Sequence, residues 1–184
     1  EAKKIAGMAE AHYAQIAPHL LAGTGALGRI QPRPEHLRAI SRASALLGAL
    51  GRFDVGQGAV ATGDRIIAIE GVRGTDAMLD QVRAWRTDAA VVAREDRDLG
   101  RAVLVKLPKP GQELRVDLPA IGPRTVERAH ACGLGGIVVA AGRSLVLERA
   151  QMIAMADARD LFVVGIEDGA SAAGEAKKAD GLEE

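Results

Sequence analysis

One stretch of the sequence, Lys106 to Gly122, gathers the residue types that phosphate chemistry needs. Three cations, Lys106, Lys109 and Arg115, surround the acid Asp117. An apolar run, Ala102 to Val105, leads into this stretch, and Pro108, Pro110, Gly111 and Pro119 then keep it irregular. It therefore reads as a strand that ends in a long loop, and loops fixed by a rigid scaffold are where sites concentrate. Cations bind phosphate, and arginine can do so with two parallel hydrogen bonds. The same cations keep a neighbouring carboxyl ionised, and an ionised Asp can hold Mg²⁺ with part of its water shell intact. Together these groups could cradle a phosphoanhydride. On residue types alone an ordinary charged surface loop is the simpler account, and both readings stay open.

Two further segments qualify. Asp54-Val55-Gly56-Gln57-Gly58 exposes backbone amides ahead of a strand, and Glu70 to Asp76 links a strand to a helix. Thr75 suits a helix N-cap and Asp76 the first helical turn, while the free amides of that helix start could equally bind phosphate. Other chemistries find little support. His12, His19, His36 and His130 show no metal-ligand spacing, and His36 and His130 fall in amphipathic helices as surface or boundary residues. No Gly-x-Ser-x-Gly elbow is present, which argues against a serine hydrolase. Gly23 to Gly28 reads as a flexible loop, and Pro32 and Pro34 follow it where a phosphate loop needs a helix. Cys132 reads as a small buried apolar residue.

The elements that must position these groups follow from periodicity. A helix starts near Pro34, carries Leu37, Ile40, Leu47 and Leu50 on one face, and ends at Gly51. Gly58 to Glu70 and Gly136 to Glu148 resemble each other. Each has an apolar run, a glycine turn, an Arg, a second apolar run and a Glu, and both read as β-hairpins. Helices follow each, Thr75 to Arg86 and Arg149 to Arg159. A strand over Arg101 to Leu107, a helix from Pro123 to Cys132 closed by Gly133, and an unbroken apolar strand from Leu161 to Ile166, central in the sheet, complete the pattern. The fold class is α/β, a single domain whose mixed sheet holds two ββα-like hairpin-helix units with flanking helices. Residues 1–30 are expected as an N-terminal segment or linker, 31–166 as the domain, and 167–184 as a disordered tail of Ala, Gly, Glu and Lys. Arg94 to Asp98 reads as a charged, solvated linker.

Composition narrows the partners. The 184 residues suffice for one substantial core, and 48% apolar content excludes disorder throughout. With only 2% aromatics, base stacking is not a mode of binding here, and a formal net charge of zero argues against nucleic acid. A lone cysteine forbids an internal disulfide. There is no apolar run of membrane-span length and no signal-peptide pattern, so the cytoplasm is the expected location. Aliphatic strands with open edges need cover, which pairing between chains would supply, so a homodimer is expected.

Lys106-x-Pro-Lys-Pro-Gly-Gln followed by Arg115-Val-Asp-Leu-Pro-x-Ile-Gly-Pro resembles the signature of the LpxI C-terminal domain. Asp54-Val-Gly-Gln-Gly, Glu70 with Gly74-Thr-Asp-Ala-Met-Leu, and Leu161-Phe-Val-Val-Gly-Ile agree in order and spacing over roughly residues 16 to 166. The resemblance implies a Mg²⁺-dependent hydrolase. It would split the pyrophosphate of UDP-2,3-diacylglucosamine to UMP and 2,3-diacylglucosamine 1-phosphate (lipid X) in lipid A biosynthesis, with peripheral contact at the inner membrane. It implies Asp117 as the catalytic carboxylate and Asp117, Asp76 and Glu70 as metal ligands. Gln57, Gly58, Thr75, Lys106, Lys109, Gln112 and Arg115 would bind substrate. Ala120 stands where the family pattern has Thr. The family's Rossmann-like N-terminal domain is expected to lie outside this chain and to act as a partner for full activity. Glu-Ala-Lys-Lys, at both Glu1 to Lys4 and Glu175 to Lys178, marks both ends as foreign to the family pattern. Two competing expectations remain: a non-catalytic glycolipid-binding and dimerisation module derived from that domain, and a generic nucleotide-binding α/β domain, which the missing strand-to-glycine-loop pattern disfavours.

Overall fold

A computed structural model describes residues 18–87, 102–109 and 118–167. The helix considered between Ile5 and Tyr13, the linker Arg94 to Asp98 and the tail beyond Glu167 lie outside the described residues, as do Gln112, Arg115 and Asp117.

The helix at Pro34 forms as expected, α1 (Pro34–Leu50), with Ala39, Ile40, Ala43 and Leu47 buried along one face. Its start is closed by His36, whose Nδ1 accepts a hydrogen bond from the Arg33 N–H at 2.9 Å. His36 is therefore not a surface or boundary residue: it is buried, with its ring 4.9 Å from that of Phe162. Gly51, at φ −54, does not end the helix in a left-handed turn; the chain continues into a 3-10 turn, Gly51–Phe53, and Asp54 takes the left-handed conformation at φ 56. Asp is one of the few side chains that visits this region readily.

A hairpin follows, β2 (Gly58–Thr62) and β3 (Arg65–Ile69), and then α2 (Gly74–Thr87). The next elements are β4 (Val103–Lys106), β5 (Ala120–Ile121), α3 (Pro123–Ala131), β6 (Gly136–Ala140), β7 (Leu145–Val146), α4 (Arg149–Asp157) and β8 (Phe162–Ile166). With β1 (Gly25–Ala26), six strands form a mixed sheet in the order β1-β8-β6-β4-β2-β3. β4, β6 and β8 run parallel; β2, β3 and β1 join antiparallel to their neighbours. The α/β class and the mixed sheet are as the sequence indicated.

Two local expectations are corrected. Gly23 to Gly28 is not merely a loop, since β1 pairs with β8 and the Leu27 N–H donates to Val163 O at 2.8 Å. This covers the outer edge of β8, which would otherwise present unpaired backbone groups. Second, only the first ββα unit contains a hairpin. β6 is hydrogen-bonded by β4 on one edge and β8 on the other, so no edge remains for β7. β7 instead pairs parallel with β5, through Leu145 N to Pro119 O and Leu147 N to Ile121 O. The second unit keeps the strand-strand-helix order and loses the hairpin.

The period of two in the strands divides the core between two faces. Ala59, Ala61, Val103, Val105, Val138 and Phe162 pack with α1. Val60, Leu104, Ile137, Val139 and Val163 pack with Met78, Leu79 and Val82 of α2, Val126 and Ala129 of α3, and Met152 and Ala156 of α4. Each fully buried aliphatic side chain here contributes on the order of 1.5–3 kcal/mol. Cys132 is buried as expected, with Sγ 3.1 Å from Leu79 O.

Candidate functional site

The parallel direction of β4, β6 and β8 brings their carboxyl ends, and the loops that leave them, to one edge of the sheet. Such edges are the usual ligand sites of open α/β folds. Because β2 runs against β4, its first residue arrives at this same edge: Gly58 stands opposite Lys106, the last residue of β4. β3 runs back again, and the Glu70 N–H donates to Gly58 O at 2.8 Å, so Glu70 stands opposite Gly58 from the other side. Residues opposite one another in antiparallel pairs project to the same face. Val60 and Leu104, two residues along, belong to the core under α2–α4, so Lys106 and Glu70 project to that face on either side of Gly58.

Gly58 has no side chain, and the space is used. A Cβ there would lie 2.5 Å from Glu70 Oε2 and 3.5 Å from Met78 Cε. The Glu70 carboxylate thus lies directly in front of the Gly58 backbone. It is held by Thr75, whose hydroxyl donates to Glu70 Oε2 at 3.1 Å. The helix begins at Gly74, so Thr75 sits inside the first turn of α2 and spends its hydroxyl on Glu70 rather than on an N-cap. Gly56 packs on the backbone of the same residue: at φ +38, its hydrogen faces the Glu70 carbonyl, and a Cβ would lie 1.9 Å from that oxygen.

Lys106 is a buried cation, 9% exposed, whose Nζ donates to Ala120 O at 3.4 Å. This bond holds the start of β5 against the end of β4. Gln57 is half-buried beside it, its carbonyl accepting from the Leu107 N–H at 2.9 Å. Lys109 lies further out. Its ammonium bonds the carboxylate and the carbonyl of Asp54, so the left-handed Asp54 ties the loop of residues 51–57 to the start of the motif loop.

The structure therefore brings together Gln57, Gly58, Glu70, Thr75 and Lys106, with Lys109 at the rim. It does not bring Asp76 to them. The Asp76 carboxylate meets Arg124 at 2.6 Å and Arg128 at 3.2 Å, and Arg128 also bonds Asp80 at 2.8 Å. These contacts fasten α2 to α3. A cavity of ≈ 450 Å³ between those helices, lined in part by Arg83, Arg124 and Arg128, includes none of the residues at the sheet edge. The sequence did not single out Asp54 as a side chain that positions Lys109, nor the carbonyl of Ala120 as the partner of Lys106. Both lie within motif segments, which is the signal that pointed to their neighbourhood.

Chemically, the edge offers an ammonium and a carboxylate on either side of a bare glycine. Among the described residues no three acids, histidines or cysteines converge on one point. A hard cation such as Mg²⁺ is commonly held by one or two carboxylates and keeps several waters. Glu70 fits that role as one ligand, with one of its oxygens fixed by the Thr75 hydroxyl.

Comparison with known proteins agrees with the motifs. A family model described as the LpxI C-terminal domain matches residues 23–164. A curated relative from Caulobacter vibrioides, UDP-2,3-diacylglucosamine pyrophosphatase LpxI, is 48% identical over 143 residues, covering 78% of this chain and 50% of the relative. The chain spans about half the length of that relative.

Proposed function

Since the chain belongs to the LpxI family and carries its C-terminal domain, we propose that it hydrolyses the pyrophosphate of UDP-2,3-diacylglucosamine. The products are UMP and 2,3-diacylglucosamine 1-phosphate, a step of lipid A biosynthesis. The rest of the site is assigned to the part of the family architecture that the match does not cover. The observation that carries the reading is the placement of Glu70 and Lys106 on either side of Gly58, at the carboxyl end of β4.

In this reading Lys106, Lys109 and Arg115 hold the phosphates, and Gln57, Thr75 and Gln112 orient the substrate. Lys106 is the best placed of these, because its burial keeps water from competing with a phosphate oxygen for its N–H donors. Asp117 and Glu70 would hold Mg²⁺, which neutralises phosphoryl charge and polarises the bond to be broken. Asp117 also orients the attacking water, whose oxygen joins one phosphorus as the anhydride P–O bond breaks. The reading includes a homodimer in the cytoplasm, with peripheral contact at the inner membrane. Among the described residues no helix is long and apolar enough to cross a membrane. The outer edge of β3, which has β2 as its sheet neighbour, supports self-association.

The test is release of UMP from UDP-2,3-diacylglucosamine with Mg²⁺, with and without an added N-terminal domain of the family. Mg²⁺-dependent release in either arm supports hydrolysis. Tight substrate binding without release in both arms would favour the second reading, a non-catalytic glycolipid-binding module, which the half-length match to the relative keeps in view.

A further inference from the structure

Among the described residues, four of the five exposed large apolar side chains lie close together. Phe53, Val55, Ile69 and Val72 belong to two connecting segments, residues 51–57, which open with the 3-10 turn, and residues 69–74, from the last residue of β3 to the first of α2, and Val72 is 107% exposed and Phe53 62%. The two loops touch, since Gly56 packs on the Glu70 carbonyl and the Glu70 N–H bonds Gly58 O. Both rim the sheet edge that carries Glu70, Gly58 and Lys106. The fifth such residue among the described ones, Leu147, lies apart from these two segments, between β7 and α4.

The charges of these loops are sorted as well. Asp54 is bonded by Lys109, and Glu70 by Thr75. Arg52 lies over the Phe53 ring at 4.7 Å, and Arg73 is exposed beside Val72. The rim therefore presents apolar tips flanked by two guanidinium groups, with Asp54 ion-paired to Lys109 and the Glu70 carboxylate half-buried against Gly58. Guanidinium groups beside apolar side chains suit a layer whose surface carries phosphates and whose interior is hydrocarbon.

We propose that the loops 51–57 and 69–74 dock on an anionic phospholipid bilayer, with Phe53, Val55, Ile69 and Val72 entering the interface and Arg52 and Arg73 meeting lipid phosphates. The inference rests on the reading of the substrate as lipid-linked and gives that reading a surface. Docked this way, the domain turns the Gly58 edge toward the layer in which an acylated substrate resides.

The test is co-sedimentation of the full chain with vesicles of phosphatidylglycerol and phosphatidylethanolamine, compared with phosphatidylcholine alone. Phe53→Asp and Val72→Asp replace exposed side chains, so folding should survive, as circular dichroism would verify. Each should weaken binding to the anionic vesicles roughly tenfold or more. His130→Asp, which adds the same charge at the far end of α3, should leave binding unchanged. Absence of wild-type binding, or equal binding by all variants, would overturn the proposal. So would a wild-type dimer that Val72→Asp splits and that ignores vesicles, since the surface would then belong to a second copy. Binding is read without turnover, so failure here leaves the hydrolase reading standing, and failure of hydrolysis leaves vesicle binding to be judged by itself.

Discussion

Replacing Gly58 with alanine adds one methyl group where the Glu70 carboxylate already lies. The new Cβ would stand 2.5 Å from Glu70 Oε2, and the carboxylate must retreat by roughly 1 Å to reach an ordinary contact. That displacement breaks the 3.1 Å hydrogen bond from Thr75. Hydrogen bonds to charged groups contribute about 1.5–3 kcal/mol, and this one is only part-buried, so a loss of about 1–2 kcal/mol is expected. For a chain of this size the melting temperature should fall by roughly 3–6 °C. Gly56→Ala should be worse. Its Cβ would meet the Glu70 carbonyl oxygen at 1.9 Å, which is backbone and cannot swing aside, and its φ of +38 is unfavourable for alanine. A cost of roughly 3 kcal/mol or more follows. The functional effect of Gly58→Ala should exceed its effect on stability: the variant, still folded, should lose about tenfold or more in Mg²⁺-dependent turnover because the Glu70 carboxylate is displaced. Calorimetry and UMP release, measured on both variants with the family's N-terminal domain added, separate the two effects. A Gly58→Ala variant with wild-type melting and turnover would show that the carboxylate does not matter where it lies. A Gly56→Ala variant as mild as Gly58→Ala would refute the distinction between a mobile and a fixed neighbour.

Asp117→Asn should lower turnover by roughly a hundredfold or more with folding intact; wild-type turnover with the same Mg²⁺ dependence would remove Asp117 from catalysis. Asp76→Ala should cost about 1 kcal/mol or less, because its exposed ion pairs with Arg124 and Arg128 are worth little. Its turnover should be unchanged, and a hundredfold loss would put Asp76 back at the metal. For Asp157, burial acts to raise the carboxyl, but hydrogen bonds from the Arg29 and Ile30 amides and the Arg29 guanidinium outweigh it and hold the pKa below its ordinary value. A carboxyl lowered in the folded chain adds stability that is fully present above the ordinary value near 3.8 and is lost as pH falls through the lowered one. The difference in melting temperature between the chain and Asp157→Asn should therefore be flat near neutral pH and close in acid; a gap that stays open well below that value would refute the tie.

Features set by neighbouring residues were legible in the sequence. The 3.6-residue spacing of Leu37, Ile40, Leu47 and Leu50 gives α1, although only Ile40 and Leu47 of these are fully buried, and the unbroken run from Val103 to Val105 gives a strand buried on both faces. What failed depends on partners distant in the chain. His36 looks like a surface residue until Phe162 arrives beneath its ring. Leu145-Val146 looks like the return strand of a hairpin until β4 and β8 take both edges of β6. The site divides in the same way. Glu70 and Asp76 are equivalent as residue types in one segment, and only the placement of α3, with Arg124 and Arg128, draws Asp76 away and leaves Glu70 with Thr75.

The composition of the site follows from strand direction. A hairpin added to the edge of a parallel sheet can offer either its turn or its two open ends to the carboxyl edge. Here β2 runs antiparallel to β4, so the open ends face the site and the turn at Gly63 and Asp64 lies at the far edge. The open ends are where the chain is least constrained by the ladder, so Gly56 can adopt a positive φ and Gly58 can leave room for a carboxylate without breaking a strand. Phe53 and Val72 project from the same ends, just outside the paired residues. One choice of direction thus sets the acid beside the lysine and puts the exposed apolar loops around them. It also explains why the stretch from Lys106 to Gly122 shows only part of the site, since Gly58 and Glu70 join Lys106 and Ala120 only when the sheet closes.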